Sequence, residues 1–222
     1  MESTVTKFFD DLYIIDDNRV RAFLIVQEDQ ALLIDTGFSD SDFVLKAKEI
    51  TDLPLKVVLT HGDLDHSGNL KYFDQCYLHP DDRSLIKDEI QFNDLLDGDK
   101  IIIGNYHFEV ISIPGHTYGS IALLERNKKL LLPGDSVQIG PIYMFGSHRN
   151  LDLYFQSLQK LLSYQDDIET ILPSHHQYPL SNEYIKYCLD DAKLLKANKL
   201  KGTKHPTMPC CQYDGKHVSF YY

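Results

Sequence analysis

The sequence predicts an α/β protein built of two stacked sheets with helices on their outer faces. Three observations carry that prediction. Short apolar runs alternate with amphipathic stretches, strands with interspersed helices first and then the same order again. The 222 residues, 43% of them hydrophobic, suit one domain over 1–222 with a sizeable core. Four apolar strands each end in Thr, Pro-Gly or Pro-Ser and then deliver a His or Asp.

The elements follow in order. Leu12 to Ile15, Arg21 to Val26 and Ala31 to Ile34 read as an antiparallel meander, the last strand ending in Asp35-Thr36-Gly37. Asp40 to Ile50 has a helical pattern with Phe43, Val44 and Ala47 on one side. Lys56 to Leu59 is a buried strand, and Gly68 to Phe73 a helical turn. Cys76 to Leu78 is a short strand stopped by His79-Pro80, and Asp81 to Ile90 is predicted as a helix. A hairpin is expected around Gly104-Asn105, joining Ile101 to Ile103 with Tyr106 to Ile113. Ser120 to Glu125 and Lys129 to Leu132 form another strand pair. Leu151 to Tyr164 reads as a helix with Leu153, Leu158, Leu161 and Leu162 inward. Glu169 to Leu172 is a late strand and Asn182 to Lys199 the last long helix. The tail from about 200 to 222 is of uncertain structure in the sequence, with Lys216 to Tyr221 as a candidate terminal strand.

The chemistry concentrates at Thr60-His61-Gly62-Asp63-Leu64-Asp65-His66-Ser67-Gly68, where a strand hands over to a helical turn. Carboxylates and imidazoles packed so closely repel or compete for protons unless a cation stands among them. A polar loop with Asp and His capping a helix is the plainer reading of this stretch taken alone. Three other junctions argue against it: Ile113-Pro114-Gly115-His116, Leu132-Pro133-Gly134-Asp135 and Leu172-Pro173-Ser174-His175. Pro and Gly end a strand sharply and expose the next side chain. The expectation is one cluster of His61, Asp63, Asp65, His66, His116, Asp135 and His175 at a shared rim.

These residues resemble the metallo-β-lactamase superfamily, whose motif is His-x-His-x-Asp-His, then a lone His, a bridging Asp and a final His. The resemblance runs from about Asp11 to Tyr178 and includes Ile34-Asp35-Thr36-Gly37. It implies an αββα sandwich of two mixed β-sheets with helices on the outer faces. It also implies two divalent metal ions, zinc first. One ion would sit on His61, Asp63 and His116, the other on Asp65, His66 and His175, with Asp135 bridging. The implied reaction is attack of a metal-activated hydroxide on an ester, thioester, lactone or amide carbonyl, as in glyoxalase II-like hydrolases, with Asp65 orienting the water or taking its proton. Asp63 is the departure, because the family usually has His there. A coordinating third carboxylate would favour harder ions such as Mn²⁺ or Fe²⁺, and an Asp63 turned away would leave the first site weak. The competing reading is a weakly catalytic or non-catalytic metal- or ligand-binding protein of the same fold.

The remaining polar residues have modest roles. His79, His107, His205 and His217 suit surface or hydrogen-bonded positions, and His176 should turn away from the ligands. Tyr143, His148 and Arg149, in the loop after Asp135, are the candidates for substrate contact. Asp35 reads as a supporting residue. A net charge of −11 with scattered Lys and Arg excludes nucleic acid and anionic membranes as expected partners and leaves a small-molecule substrate. Four cysteines without Cys-x-x-Cys, and a polar N-terminus, point to the cytoplasm. Nothing in the sequence sets the oligomeric state.

Overall fold

The computed structural model describes residues 2–222. The chain divides into two compact units, residues 1–110 and Ile111–Tyr222.

The first unit contains a seven-stranded mixed sheet whose spatial order is its sequence order. Strands β1 (Thr4–Lys7), β2 (Leu12–Asp16), β3 (Arg21–Val26) and β4 (Ala31–Ile34) are antiparallel neighbours. Helix α1 (Phe43–Ile50) crosses over to β5 (Leu55–Val58), which pairs parallel with β4. Helix α2 (Leu64–Ser67) leads to β6 (Gln75–Leu78), and β7 (Gln91–Asp94) closes the parallel half. Strands β8 (Lys100–Ile103) and β9 (Tyr106–Ser112) form the hairpin expected around Gly104-Asn105.

Phe43, Val44 and Ala47 of α1 pack into one core with Ala22, Leu24, Leu33 and Val57. The alternate residues Phe23, Ile25, Leu32 and Ile34 are fully buried too. Strands buried on both faces have no need of polar alternation, so β3 and β4 read as continuous apolar runs.

In the second unit the end of β9 is followed by β10 (Ile121–Glu125) and β11 (Leu130–Leu132), an antiparallel pair. Strand β12 (Ile142–Tyr143) lies in the loop after Asp135, and helix α3 (Leu151–Leu162) follows. Strand β13 (Thr170–Ile171) pairs parallel with β11. Helix α4 (Glu183–Lys196) precedes β14 (Gly202–Lys204), β15 (Cys211–Asp214) and β16 (Ser219–Tyr221). These three strands and β12 make a separate small sheet, ordered β12-β16-β15-β14. Leu158 and Leu161 of α3 share a core with Ile185, Cys188 and Ala192 of α4 and with Leu124, Leu131 and Ile171 of the strands.

Several expectations need correction. The helix predicted over 81–90 is a 3₁₀ turn, Pro80–Leu85, and Ile86 is already extended. His79 caps it, and the turn draws the Asp82 carboxylate inward to accept from Gly62 N at 2.8 Å. On α3 the buried stripe is Tyr154, Ser157, Leu158 and Leu161, so Tyr154 takes the inward place assigned to Leu153, while Leu162 packs part-buried at its border. The tail, left uncertain by the sequence, contributes from Gly202 three of the four strands of the small sheet.

Among the described residues no helix is long and apolar enough to cross a membrane. The cysteines are all reduced. Burial pushes the Cys76 thiol up to about 11 and the Cys188 thiol up to about 12. Iodoacetamide at about pH 8 should therefore label half-buried Cys211 in the native protein and reach Cys76 and Cys188 only after denaturation. Peptide mass mapping checks this, and fast native labelling of Cys188 would contradict it.

Candidate metal centre

Four of the seven candidate ligands lie in the first unit, on the stretch leaving β5. Asp35, one residue beyond β4, organises them. Its N–H donates to Val58 O at 2.9 Å, so it stands beside the end of β5. Its carboxylate is fully buried and accepts from Thr60 N, Thr60 Oγ1 and His66 Nδ1, each at 2.8 Å. The backbone there is left-handed, with φ +64°, which Asp tolerates better than most residues.

For neutral imidazoles these bonds assign the tautomers. A carboxylate accepts from His66 Nδ1–H, which leaves the lone pair of that ring on Nε2. The Thr60 hydroxyl spends its hydrogen on Asp35, so it accepts from His61 Nδ1–H at 3.1 Å. His61 therefore also presents a bare Nε2. The two rings lie side by side, centroids 3.9 Å apart. His61 Nε2 is 3.5 Å from Asp63 Oδ2, and His66 Nε2 is 3.6 Å from Asp65 Oδ2.

The loop is held from two sides. Thr36 N and Oγ1 both donate to His66 O, at 2.7 and 2.9 Å. The buried Asn69 amide donates to the carbonyls of Thr36, Phe38 and Ser41. From the other side comes the bond of Asp82 to Gly62. A Cβ at Gly62 would lie 2.9 Å from Asp82 O and from Leu85 Cβ, so the turn packs too tightly for a side chain there.

The second unit holds the other three candidates. The parallel register that pairs Leu130 with Thr170 and Leu131 with Ile171 also aligns Asp135 with His175, and Ser174 N donates to Gly134 O. Neighbouring parallel strands thus bring both side chains to the same carboxyl-terminal edge, the usual place for ligands in α/β sheets. His116 follows Pro114-Gly115, where Gly115 has φ +142° and a side chain would collide with the Tyr154 backbone. Asp135 Oδ2 lies 3.4 Å from His116 Nε2 and 3.2 Å from His175 Nε2. His116 Nδ1–H donates to Tyr143 O at 3.1 Å, and a carbonyl can only accept, so this ring too carries its lone pair on Nε2.

The spacing fits a cation. Ligand atoms about 2.0–2.1 Å from a tetrahedral zinc are about 3.3–3.4 Å from one another. The four imidazole–carboxylate separations, 3.2 to 3.6 Å, bracket that value. Three of the rings make their other nitrogen bond to a carboxylate, a hydroxyl or a carbonyl, the outer support typical of metal-bound histidine.

The other singled-out residues have local roles. His79 and His205 accept backbone N–H bonds, and His217 stacks on Tyr187 with centroids 3.8 Å apart. Tyr143 is 39% exposed and packs its ring on Phe145 and Tyr221, while His148 and Arg149 lie in the turn before α3. Sequence reasoning missed Asn69, Asp82 and the Tyr143 carbonyl as supports.

Comparison with known proteins places the chain. The chain is 27% identical over 218 residues to the acyl-coenzyme A thioesterase MBLAC2 of Gallus gallus, covering 76% of this chain and 79% of that one. It is 31% identical over 199 residues to the hydroxyacylglutathione hydrolase of Aeromonas salmonicida (strain A449), covering 84% and 75%. The crystal structure of the DIM-1 metallo-beta-lactamase matches with a TM-score of 0.74 at 16% identity, over 88% of this chain and 98% of that one. A metallo-beta-lactamase from Pontibacter korlensis matches at 0.73 and 18%, over 86% and 99%. Those likenesses show the fold, the αββα sandwich expected from the sequence. The model of the metallo-beta-lactamase superfamily matches residues 15–175, from the first core strand to the last candidate histidine, and the chain belongs to that superfamily.

Proposed function

We propose that this chain is a hydrolase of acyl thioesters that works with two divalent cations, zinc first. By the family resemblance His61, Asp63 and His116 would hold one ion, Asp65, His66 and His175 the other, and Asp135 would contribute to both. The observation that carries this reading is the single oxygen of Asp135, set between two imidazole nitrogens at 3.4 and 3.2 Å. One carboxylate oxygen so flanked is suited to bridge. When bound, such ions supply Lewis acidity and bring the pKa of a water to about 7.

The chain's own residues do the rest. Asp65 orients the attacking water and accepts its proton. Asp35, Thr60 and the Tyr143 carbonyl keep the imidazole lone pairs turned toward the carboxylates, so the ligands need little reorganisation on binding. We assign Tyr143, His148 and Arg149, in the loop after Asp135, to contact with the acyl group or its carrier. A thioesterase among the relatives supports an acyl thioester over a lactone or amide. We place the reaction on a small soluble substrate in the cytoplasm.

The test is elemental analysis of protein purified without added metal, then turnover of acyl-coenzyme A and acyl-glutathione thioesters with Zn²⁺, Mn²⁺ or Fe²⁺. Two equivalents of metal are expected, with thioester turnover that chelation abolishes and metal restores. One tightly held ion and no turnover of any thioester, ester or lactone would favour a binding protein instead.

Asp63 offers a narrower test. Its carboxylate is 22% exposed beside His61 and stands where the family usually has imidazole. Asp63→His should tighten zinc at the first site by about tenfold, or about 1.4 kcal/mol, because imidazole suits Zn²⁺ better than another hard oxygen. Asp63→Ala should empty that site and leave one equivalent. Chelator competition reads both, and unchanged affinity and stoichiometry in both variants would make Asp63 a bystander.

A further inference from the structure

We infer that the C-terminal segment from Gly202 to Tyr222, together with the buried Asp191 that anchors it, is a positioning device for the His116 imidazole. The inference rests on the metal-centre reading above. The segment lies wholly beyond residues 15–175, the part that matches the superfamily.

The path starts at the histidine. Its Nδ1–H is held by the Tyr143 carbonyl at 3.1 Å, which sets the tautomer and turns Nε2 toward Asp135. Tyr143 is the last residue of β12, a strand of two residues. So short a strand cannot hold its own place. Its place comes from the tail: Ile142 pairs with Phe220 and Tyr143 with Tyr221, in parallel. Met144 N donates to Tyr221 O at 2.8 Å, and Ser219 N to Ile139 O at 3.0 Å, so the tail brackets the strand at both ends. The rings of Tyr143 and Tyr221 meet edge to face, centroids 5.0 Å apart.

The tail in turn is fixed to α4. Asp191 is 1% exposed, and its carboxylate accepts from Lys216 N at 2.9 Å, His217 N at 2.7 Å and Val218 N at 2.9 Å. Three donors converging on one buried carboxylate make the turn before β16 rigid. Gly215 packs so closely on this carboxylate that a Cβ there would sit 2.6 Å from Oδ2. The chain of contacts therefore runs from Asp191 through the 216–218 turn, β16 and β12 to the Tyr143 carbonyl and His116. A tail that only filled core volume would need Val218 and Phe220 but no such backbone route to a ligand.

The test uses the full chain and three variants, Asp191→Ala, Asp191→Asn and Tyr221→Ala. Zinc affinity is measured by chelator competition, melting in the metal-free state, and the His116 ring nitrogens by NMR. Asp191→Asn keeps the side-chain shape and sets one amide N–H₂ against backbone donors, so it serves if Asp191→Ala does not fold. The expected result is zinc binding at the His116 site weakened about 10- to 100-fold, with the Asp65–His66–His175 site within about twofold of the parent. The His116 ring should lose its single Nδ1–H form. Variants that melt lower yet keep both zinc affinities and the parent tautomer overturn the inference and leave the metal centre standing. A parent chain that binds no zinc overturns the metal-centre reading, and this inference with it.

Discussion

Asp135→Ala is expected to abolish the proposed thioester turnover and to lower bound metal from the proposed two equivalents to one or none. The expected loss in kcat is about 10³-fold, about 4 kcal/mol of transition-state stabilisation. Asp135 is 6% exposed, and its Oδ2 faces His116 and His175 at near-equal distances. Without it the two nitrogens lose the neighbouring anion that would offset a cation's charge. The fold should survive, because Asp135 follows a sharp Pro133-Gly134 turn closed by Ser136 N to Pro133 O, and that bond does not use the side chain. Asp135→Asn keeps the shape but removes the negative charge, so it should retain more metal than the alanine variant and still lose most turnover. Metal analysis, kcat and melting temperature separate the outcomes. Full metal content with parental kcat would reduce Asp135 to a turn residue.

The four junctions between strand and ligand are legible in the sequence because each is local: an apolar run, a breaker, then a His or Asp within three residues. The register of β11 and β13 turns that local signal into a spatial one, Asp135 beside His175. The supports are not legible for the opposite reason. Asp82 reaches Gly62 across 20 positions, Asn69 reaches Thr36 across 33, and Tyr143 reaches His116 across 27. In each a backbone atom is one partner, and every residue has one, so no side-chain pattern marks the bond. The unpredicted strands have a related cause. The four residues of β1 are all exposed, and β7 reads Gln-Phe-Asn-Asp at the far edge of the sheet. Edge strands bury no continuous face and so carry no period of two. Asp81 to Ile90 has the composition of a helix, but Pro80 and the inward pull on Asp82 shorten it to a 3₁₀ turn.

Asp35→Ala is expected to be the most destabilising single change near the site, and the comparison with Asp35→Asn separates its two roles. The alanine strands two donors of Thr60 and the Nδ1–H of His66, all in buried surroundings. Each buried donor without an acceptor costs about 1–3 kcal/mol, partly relieved by relaxation. Ala also fits a backbone at φ +64° less well than Asp. A net loss of about 3–5 kcal/mol follows, or about 10 °C in melting temperature for a chain of this size. Asp35→Asn tolerates the left-handed backbone and keeps one oxygen as an acceptor, so it should lose less than half as much stability. Its amide N–H₂ must face Thr60 or His66. Against His66 it favours the ring form with the proton on Nε2, which takes away the lone pair directed at Asp65. Zinc at the Asp65–His66–His175 site should then weaken about 10- to 100-fold while the protein remains folded. If both variants melt lower but Asp35→Asn holds two zinc ions at parental affinity, Asp35 is a scaffold for β4 and β5 and has no hand in presenting His66.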